Sequence, residues 1–369
     1  MLKPDKLGDI QSIVISGWYG AGNVGDEAIL VALAQRYRDC YPKAKIIALS
    51  LNPELSRKVC RVEAVHQLPF GIRSWINFFL KFYFIKTLWV IFRCDVFVMG
   101  GGGFLSDWQA NTLPRWLRQL KFAKWLGKKV LLDGVGVGPI NTKKGEKLLK
   151  KYLDRYVDFI SVRDNISYRV LKNQVQIEGN VSVVVDPVAT MDVDSIFSYS
   201  TKSFGYEQYI LLVYCEFFSH KAFCSYVRFS DKLLSCYCAQ IDFLLEQGKA
   251  LVIGFMHSQH DLPLIEFLSH KYKNQLEIEI YSDIEQCTQS IKKAQAVISF
   301  RLHGNILAYA LNRPFLPICY HNKCVGFLEM VKFPTDEAIL IGDGTRWYEH
   351  GLQEKYWIQK TNEFLKRRL

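Results

Sequence analysis

Short apolar runs recur along this chain, each followed by a stretch with apolar residues at helical spacing. SIVISG (12–17), KIIALS (45–50), CDVFVMG (94–100), KKVLLDGVG (128–136), DFISVR (158–163) and VSVVVD (181–186) make the first set. Strands separated by helices pair in parallel, because a parallel crossover needs a dozen or more residues. A parallel sheet is covered on both faces, which is why its strands read as nearly continuous apolar runs. After VDPV the alternation pauses over 189–208, then resumes with YILLVY, KALVIGF, LEIEIY and QAVISF. A chain of 369 residues is too long for one ordinary core, so two α/β domains of similar size are expected.

Charge narrows the partners. Lysine and arginine number 47 against 36 acidic residues, a net charge of +11 that favours anionic partners. No nucleic-acid motif is present, and cation-rich stretches such as KKGEKLLKKYLDRY read as solvated helix faces, so nucleic acid is not expected. The ten cysteines are scattered, and CYC at 236–238 lacks the spacing of a zinc half-site. With no leader pattern at the N-terminus they read as reduced thiols of a cytoplasmic protein. WINFFLKFYFIKTLWVIF (75–92) resembles a membrane span, but Lys81 and Lys86 interrupt it and Arg93 closes it. Each charge at mid-bilayer costs roughly 2.5–3.5 kcal/mol, so a helix packed on the sheet is expected, with 75–93 able to touch the inner face of the cell membrane.

Three glycine-rich turns follow strands of the first half. GWYGAGNVGDEAIL (17–30) leads into a helix whose first amides suit an anion. Gly20, Gly22 and Gly25 match the dinucleotide spacing, but Asp26 and Glu27 directly after them would repel a pyrophosphate and suit sugar hydroxyls better. GGGGFLSD (100–107) carries four consecutive glycines, more than a tight turn needs, and suggests backbone lining a site. DGVGVGP (133–139) is the third turn, and three turns at one sheet edge would border one cleft.

Basic groups gather at strand ends. Arg163 ends DFISVR, and Arg301 and His303 follow QAVISF in SFRLHGN. Tyr320 and Lys323 lie just past a further strand in ICYHNKCVGF. Arginine forks and a lysine suit a small molecule with several negative charges, and His303 is placed to move a proton near neutral pH. GFMHSQHDLP (254–263) places His257, His260 and Asp261 before a helix; the spacing does not fix a metal geometry, and Asp261 as a helix N-cap is the plain alternative.

These segments together resemble the polysaccharide pyruvyl transferase family. GWYGAGNVGDEAIL, GGGGFLSD, GVGVGP, SVRD, VDPV, the loop ending in Asp261 and ISFRLHGNILAYALNRPFLPICYHNKCVGF run in family order, although Val135 stands where members often carry glutamine. The resemblance implies two Rossmann-like domains facing a cleft, similar to the glycosyltransferase-B architecture. The N-terminal domain (1–188) would be the acceptor side, 189–208 a linker, 209–345 the phosphoenolpyruvate side and 346–369 a C-terminal helix. It also implies transfer of a pyruvyl group from phosphoenolpyruvate onto sugar hydroxyls as a ketal. The acceptor would be a cell-surface polysaccharide or its lipid-diphosphate-linked precursor, and no cofactor or metal is expected. Arg163, Arg301, His303, Tyr320 and Lys323 would bind the donor, with His303 as acid or base. Gly20, Asn23, Asp26, Glu27, Gly102, Gly103 and Asp107 would hold the acceptor. The alternative is a nucleotide-sugar-dependent glycosyltransferase, which would want a carboxylate for ribose; Glu329 is the only acid expected near Arg301 and His303.

Overall fold

A computed structural model describes residues 9–107, 112–197, 208–216, 229–344 and 346–369. The chain divides into two compact units, Met1–Met191 and Asp192–Leu369. The first holds strands β1 (Ser12–Ser16), β2 (Lys45–Ser50), β3 (Glu63–His66), β4 (Val96–Gly100), β5 (Lys129–Val135), β6 (Phe159–Val162) and β7 (Val181–Val183). Its helices are α1 (Val24–Cys40), α2 (Pro53–Cys60), α3 (Ile72–Leu80), α4 (Tyr83–Arg93), α5 (Thr112–Trp125), α6 (Lys143–Tyr156) and α7 (Asn165–Arg169). The strands pair in parallel in the order β3-β2-β1-β4-β5-β6-β7. Every residue of β4 is buried, as a strand covered on both faces requires. Val135 is also fully buried, in the core of this unit.

The second unit opens with the short helix α8 (Val193–Ile196). Strands β8 (Ile210–Val213), β9 (Leu251–Phe255), β10 (Glu277–Ile280), β11 (Ala296–Ser299), β12 (Phe315–Cys319) and β13 (Ile339–Leu340) follow. Helices α9 (Ser230–Glu246), α10 (Leu262–Lys271), α11 (Ile284–Lys293), α12 (Leu302–Ala310), α13 (Asn322–Met330) and α14 (Glu354–Arg368) cover the sheet, whose order is β10-β9-β8-β11-β12-β13. Helix α14 packs on α9 within this unit; Gln240 Nε2 donates to Thr361 Oγ1 at 2.6 Å where both side chains are buried.

Some expectations need adjusting. Strand β3 is too short and too mixed in pattern to stand out in the sequence. The aromatic stretch is two helices rather than one, bent by 91° across Lys81–Phe82, where Phe82 takes a left-handed φ of 54°. Of the 189–208 segment, 198–207 lies outside the described residues, and the part before it is a 3-10 turn (Pro187–Thr190) and α8. The closing helix begins at Glu354 rather than near 346. Nine cysteines are described, all free and all buried except Cys40.

Candidate functional site: strand ends at the two switch points

In each sheet the strand order reverses once, between β1 and β4 and between β8 and β11. Open α/β sheets bind ligands at the carboxyl ends of strands beside such a reversal. Gly20, Asn23, Asp26 and Glu27 follow β1, Gly102, Gly103 and Asp107 follow β4, and Arg301 and His303 follow β11, all beside a reversal. Tyr320 and Lys323 follow β12, Asp261 follows β9 and Arg163 follows β6.

In the second unit β11 runs into Ser299, Phe300 and Arg301, and α12 starts at Leu302. Arg301 occupies the N-cap position without a side-chain cap bond. The turn is held by neighbours instead: Ser299 Oγ donates to the Arg301 carbonyl at 2.8 Å. Buried Asn305 reaches back from α12, its Nδ2 donating to the carbonyls of Ser299 (3.2 Å) and Arg301 (3.3 Å). With its backbone fixed, Arg301 turns its guanidinium to Asp261, whose carboxylate is completely buried. Asp261 is the residue before α10, yet its side chain makes no cap bond. Its oxygens accept from Arg301 Nη2 and from the Glu216 amide (3.0 Å), so neither the cap nor the metal reading describes it. The Nε of Arg301 is shielded from solvent and has no hydrogen-bond partner among the described residues.

Around this pair lie the other donor candidates. The Tyr320 ring stacks on Phe300 (centroids 4.7 Å apart, planes at 12°), and Lys323 Nζ sits 5.0 Å above the Tyr320 ring. His321 Nδ1 accepts from the Lys323 amide and so caps α13. His303 lies half-buried in the first turn of α12, its Nε2 shielded from solvent. His257 is half-buried after β9, its ring edge-on to His260 at 4.2 Å. Burial, then His260 and Arg301, push its pKa down to about 4, so it is neutral at physiological pH. Glu329, the acid expected near Arg301, is exposed on α13; Asp261 is the acid in contact.

In the first unit the three glycine turns follow β1, β4 and β5, adjacent strands at one sheet edge. Two of them are bonded together: the Gly136 amide donates to the Gly102 carbonyl (2.7 Å) and the Gly138 amide to the Leu105 carbonyl (2.8 Å). Packing explains part of the four-glycine run. A Cβ on Gly100 would strike Leu33, and one on Gly101, which has φ +61°, would strike Ile29, so both let α1 approach the sheet. Gly102, at φ +72°, supplies the turn, and only Gly103 is exposed.

Several expected acceptor contacts have other partners here. Glu27 is 3% exposed; its carboxylate accepts from the Gly20 amide (2.6 Å) and from Cys60 Sγ (3.0 Å), and burial raises its pKa. It shapes the turn rather than presenting a carboxylate to a sugar. Asn23 caps α1, its Oδ1 accepting from the Gly25 amide at 3.0 Å. Asp107 accepts from the amides of Asn141 and Thr142 and from Thr142 Oγ1 (2.6, 2.9 and 2.6 Å), joining its turn to the start of α6. Gly20, Asp26, Gly102 and Gly103 remain at the strand-end edge, with Asp26 half-buried in the first turn of α1.

Arg163 follows β6 in the first unit, the half of the chain in which its strand was read. It is 5% exposed, its Nη1 3.1 Å from Asp186 Oδ2, and its guanidinium lies under the glycine turns: a Cβ on Gly136 would come within 2.9 Å of Nε and Nη2. Asp133 is a polar centre that spacing did not flag. It accepts from Arg36 Nη1 (3.1 Å), Tyr37 Oη (3.0 Å) and Ser161 Oγ (2.9 Å), fastening α1 and β6 to β5.

Two parallel sheets covered by helices, with polar residues at both switch points, define an α/β protein of glycosyltransferase-B-like fold. Solved structures agree. S. aureus MnaA with UDP matches at TM-score 0.63 and 11% identity, over 96% of this chain and 88% of that one. Methanocaldococcus jannaschii UDP-GlcNAc 2-epimerase matches at 0.59 and 15%, over 97% and 94%. Anabaena HepE in complex with UDP and glucose matches at 0.54 and 11%, over 97% and 95%. At these identities the likeness concerns the fold alone. No curated protein matches the sequence. The chain belongs to the polysaccharide pyruvyl transferase family, whose sequence profile matches residues 23–322, well over half its length.

Proposed function

We propose that this protein transfers the pyruvyl group of phosphoenolpyruvate to two hydroxyls of a saccharide, forming a cyclic ketal and releasing phosphate. The acceptor is a cell-surface polysaccharide or its lipid-diphosphate-linked precursor. The observation that carries the reading is Arg301, pinned by buried Asp261 at the switch point of the second sheet while its Nε has no hydrogen-bond partner among the described residues. A guanidinium oriented in this way suits the carboxylate or phosphate of such a donor, and Lys323 adds a point charge close by.

In this mechanism an acid protonates the donor methylene carbon and positive character develops at the adjacent carbon. A sugar hydroxyl attacks that carbon and gives up its proton, and the C–O bond to phosphate breaks. A second hydroxyl attacks the same carbon and loses its proton, which the departing phosphate can take, as the ring closes. His303 serves as the acid or the base. Gly20, Asp26, Gly102 and Gly103 contribute to the acceptor side in the first unit. Arg163 acts there as a positioning residue through Asp186 and the turn at Gly136.

The test is thermal unfolding of the purified protein with phosphoenolpyruvate or UDP-sugars, for wild type and Arg301→Ala. A ligand at about 100 times its dissociation constant adds roughly 2.7 kcal/mol, a readable shift. Stabilisation by phosphoenolpyruvate that disappears in Arg301→Ala supports the reading. Stabilisation by a UDP-sugar alone moves the protein to the nucleotide-sugar enzymes, although Asp261, the acid touching Arg301, already has both oxygens engaged by it.

A further inference from the structure

Helices α3 and α4 present an apolar surface that the fold leaves uncovered. Seventeen large apolar side chains are exposed among the described residues, and nine of them fall between Trp75 and Phe92, which makes one patch rather than a scatter. Leu80, Phe82, Trp89 and Phe92 are each more than 60% exposed. The opposite side is also apolar. Phe78, Val90 and Ile91 are buried, and Thr87 Oγ1 donates to the His66 carbonyl at 2.8 Å, tying α4 to β3. A helix that is apolar all round while packed on one side has a second apolar face to cover.

Charge identifies what covers it. No aspartate or glutamate occurs between residues 64 and 94, or between 112 and 132. Exposed Lys81, Lys86 and Arg93 border the patch, and Arg93 lies over the Trp89 ring at 5.9 Å. Lys128, just past α5, donates to the Phe92 carbonyl and sits 5.5 Å over its ring, which brings the basic end of α5 to the patch. Trp125 there is 79% exposed. Aromatic side chains with interleaved cations and no acids match the headgroup level of an anionic bilayer, where rings enter the apolar boundary and ammonium or guanidinium groups meet lipid phosphates.

We propose that α3, α4 and the end of α5 dock the protein on the surface of an anionic lipid bilayer. No single described helix is long and apolar enough to cross a membrane; Ser74–Leu80 and Tyr83–Arg93 reach that length and composition only together, across a 91° bend. Lys81 at the bend and Lys86 inside the second helix favour the bilayer surface over its core. This inference does not depend on the pyruvyl reading, and its test reads binding rather than turnover.

The experiment is flotation of the full chain with vesicles of phosphatidylcholine, pure or mixed with phosphatidylglycerol. Binding to the mixed vesicles, weakened by salt, is expected. Phe82→Glu with Trp89→Glu is expected to lower it at least tenfold, with thermal unfolding checked because both side chains are exposed. Changing Lys81, Lys86 and Arg93 to Gln is expected to weaken it about a hundredfold, at about fivefold per cation near an anionic surface. Absence of binding to either vesicle overturns the proposal. So does a soluble dimer that the two glutamates dissociate, because the patch would then be an interface between copies.

Discussion

Arg301 Nη2 lies 2.7 and 2.8 Å from the two oxygens of Asp261, across forty positions of sequence and between two strand ends. Asp261 is completely buried and Arg301 is 22% exposed, so the pair leans inward and fixes the guanidinium from behind. Removing one member of a buried pair strands the other's charge, which costs more than the pair contributes. Asp261→Ala is therefore expected to lose about 3 kcal/mol in denaturant unfolding and the stabilisation by phosphoenolpyruvate. Arg301→Lys keeps the charge without the fork, and should fold while binding the donor more weakly. An Asp261→Ala protein with full stability and donor binding would remove the pair from the site.

His257 gives a pH signature. Its folded value of about 4 lies below the ordinary 6.5, so between these values the unfolded chain takes up a proton that the folded chain does not. Stability should fall as pH drops through that window, and His257→Asn should make the slope shallower. Thermal midpoints for the two proteins across the window decide it; parallel curves would mean that His257 titrates normally.

Glu27 works in the opposite direction. Burial raises its pKa, so the folded group protonates before the unfolded one and wild-type stability gains as pH falls toward the ordinary carboxyl range. Glu27→Gln, neutral and able to accept from Gly20, should match or exceed wild type near neutral pH, with its advantage shrinking on acidification. Glu27→Ala leaves the Gly20 amide without its acceptor and should lose about 2 kcal/mol. Denaturant midpoints at two pH values test both, and a less stable Gln variant would show that the charge is needed.

The glycines separate packing from conformation. Gly22 has φ +76° and open space around it, so Gly22→Ala should cost only about 1 kcal/mol. Gly101 combines φ +61° with a Cβ position occupied by Ile29, so Gly101→Ala should cost clearly more. At Gly136 no positive φ is at stake, and a Cβ would press on Arg163, so the alanine variant should lose activity out of proportion to stability. Equal losses at all three positions would contradict this division.

The sequence by itself determined the alternation of apolar strands and helices, the parallel sheets that follow from it, and which residues stand at strand ends. Local spacing carries that information, because burial on both faces forces continuous apolar runs. It also carried the motifs that place the chain in its family. Strand β3 escaped notice because four residues with one buried position leave no period. The bend at Phe82 escaped because an apolar run of this length has the same composition whether straight or broken. What only the tertiary structure decided is which carboxylates are spent. Glu27, Asp107, Asp186 and Asp261 look alike as acids beside glycine turns or strand ends, yet each is committed to a partner that spacing does not name. Those partners lie 7 to 40 positions away, and they meet because parallel strands bring distant turns to one edge, where a buried charge must find a donor.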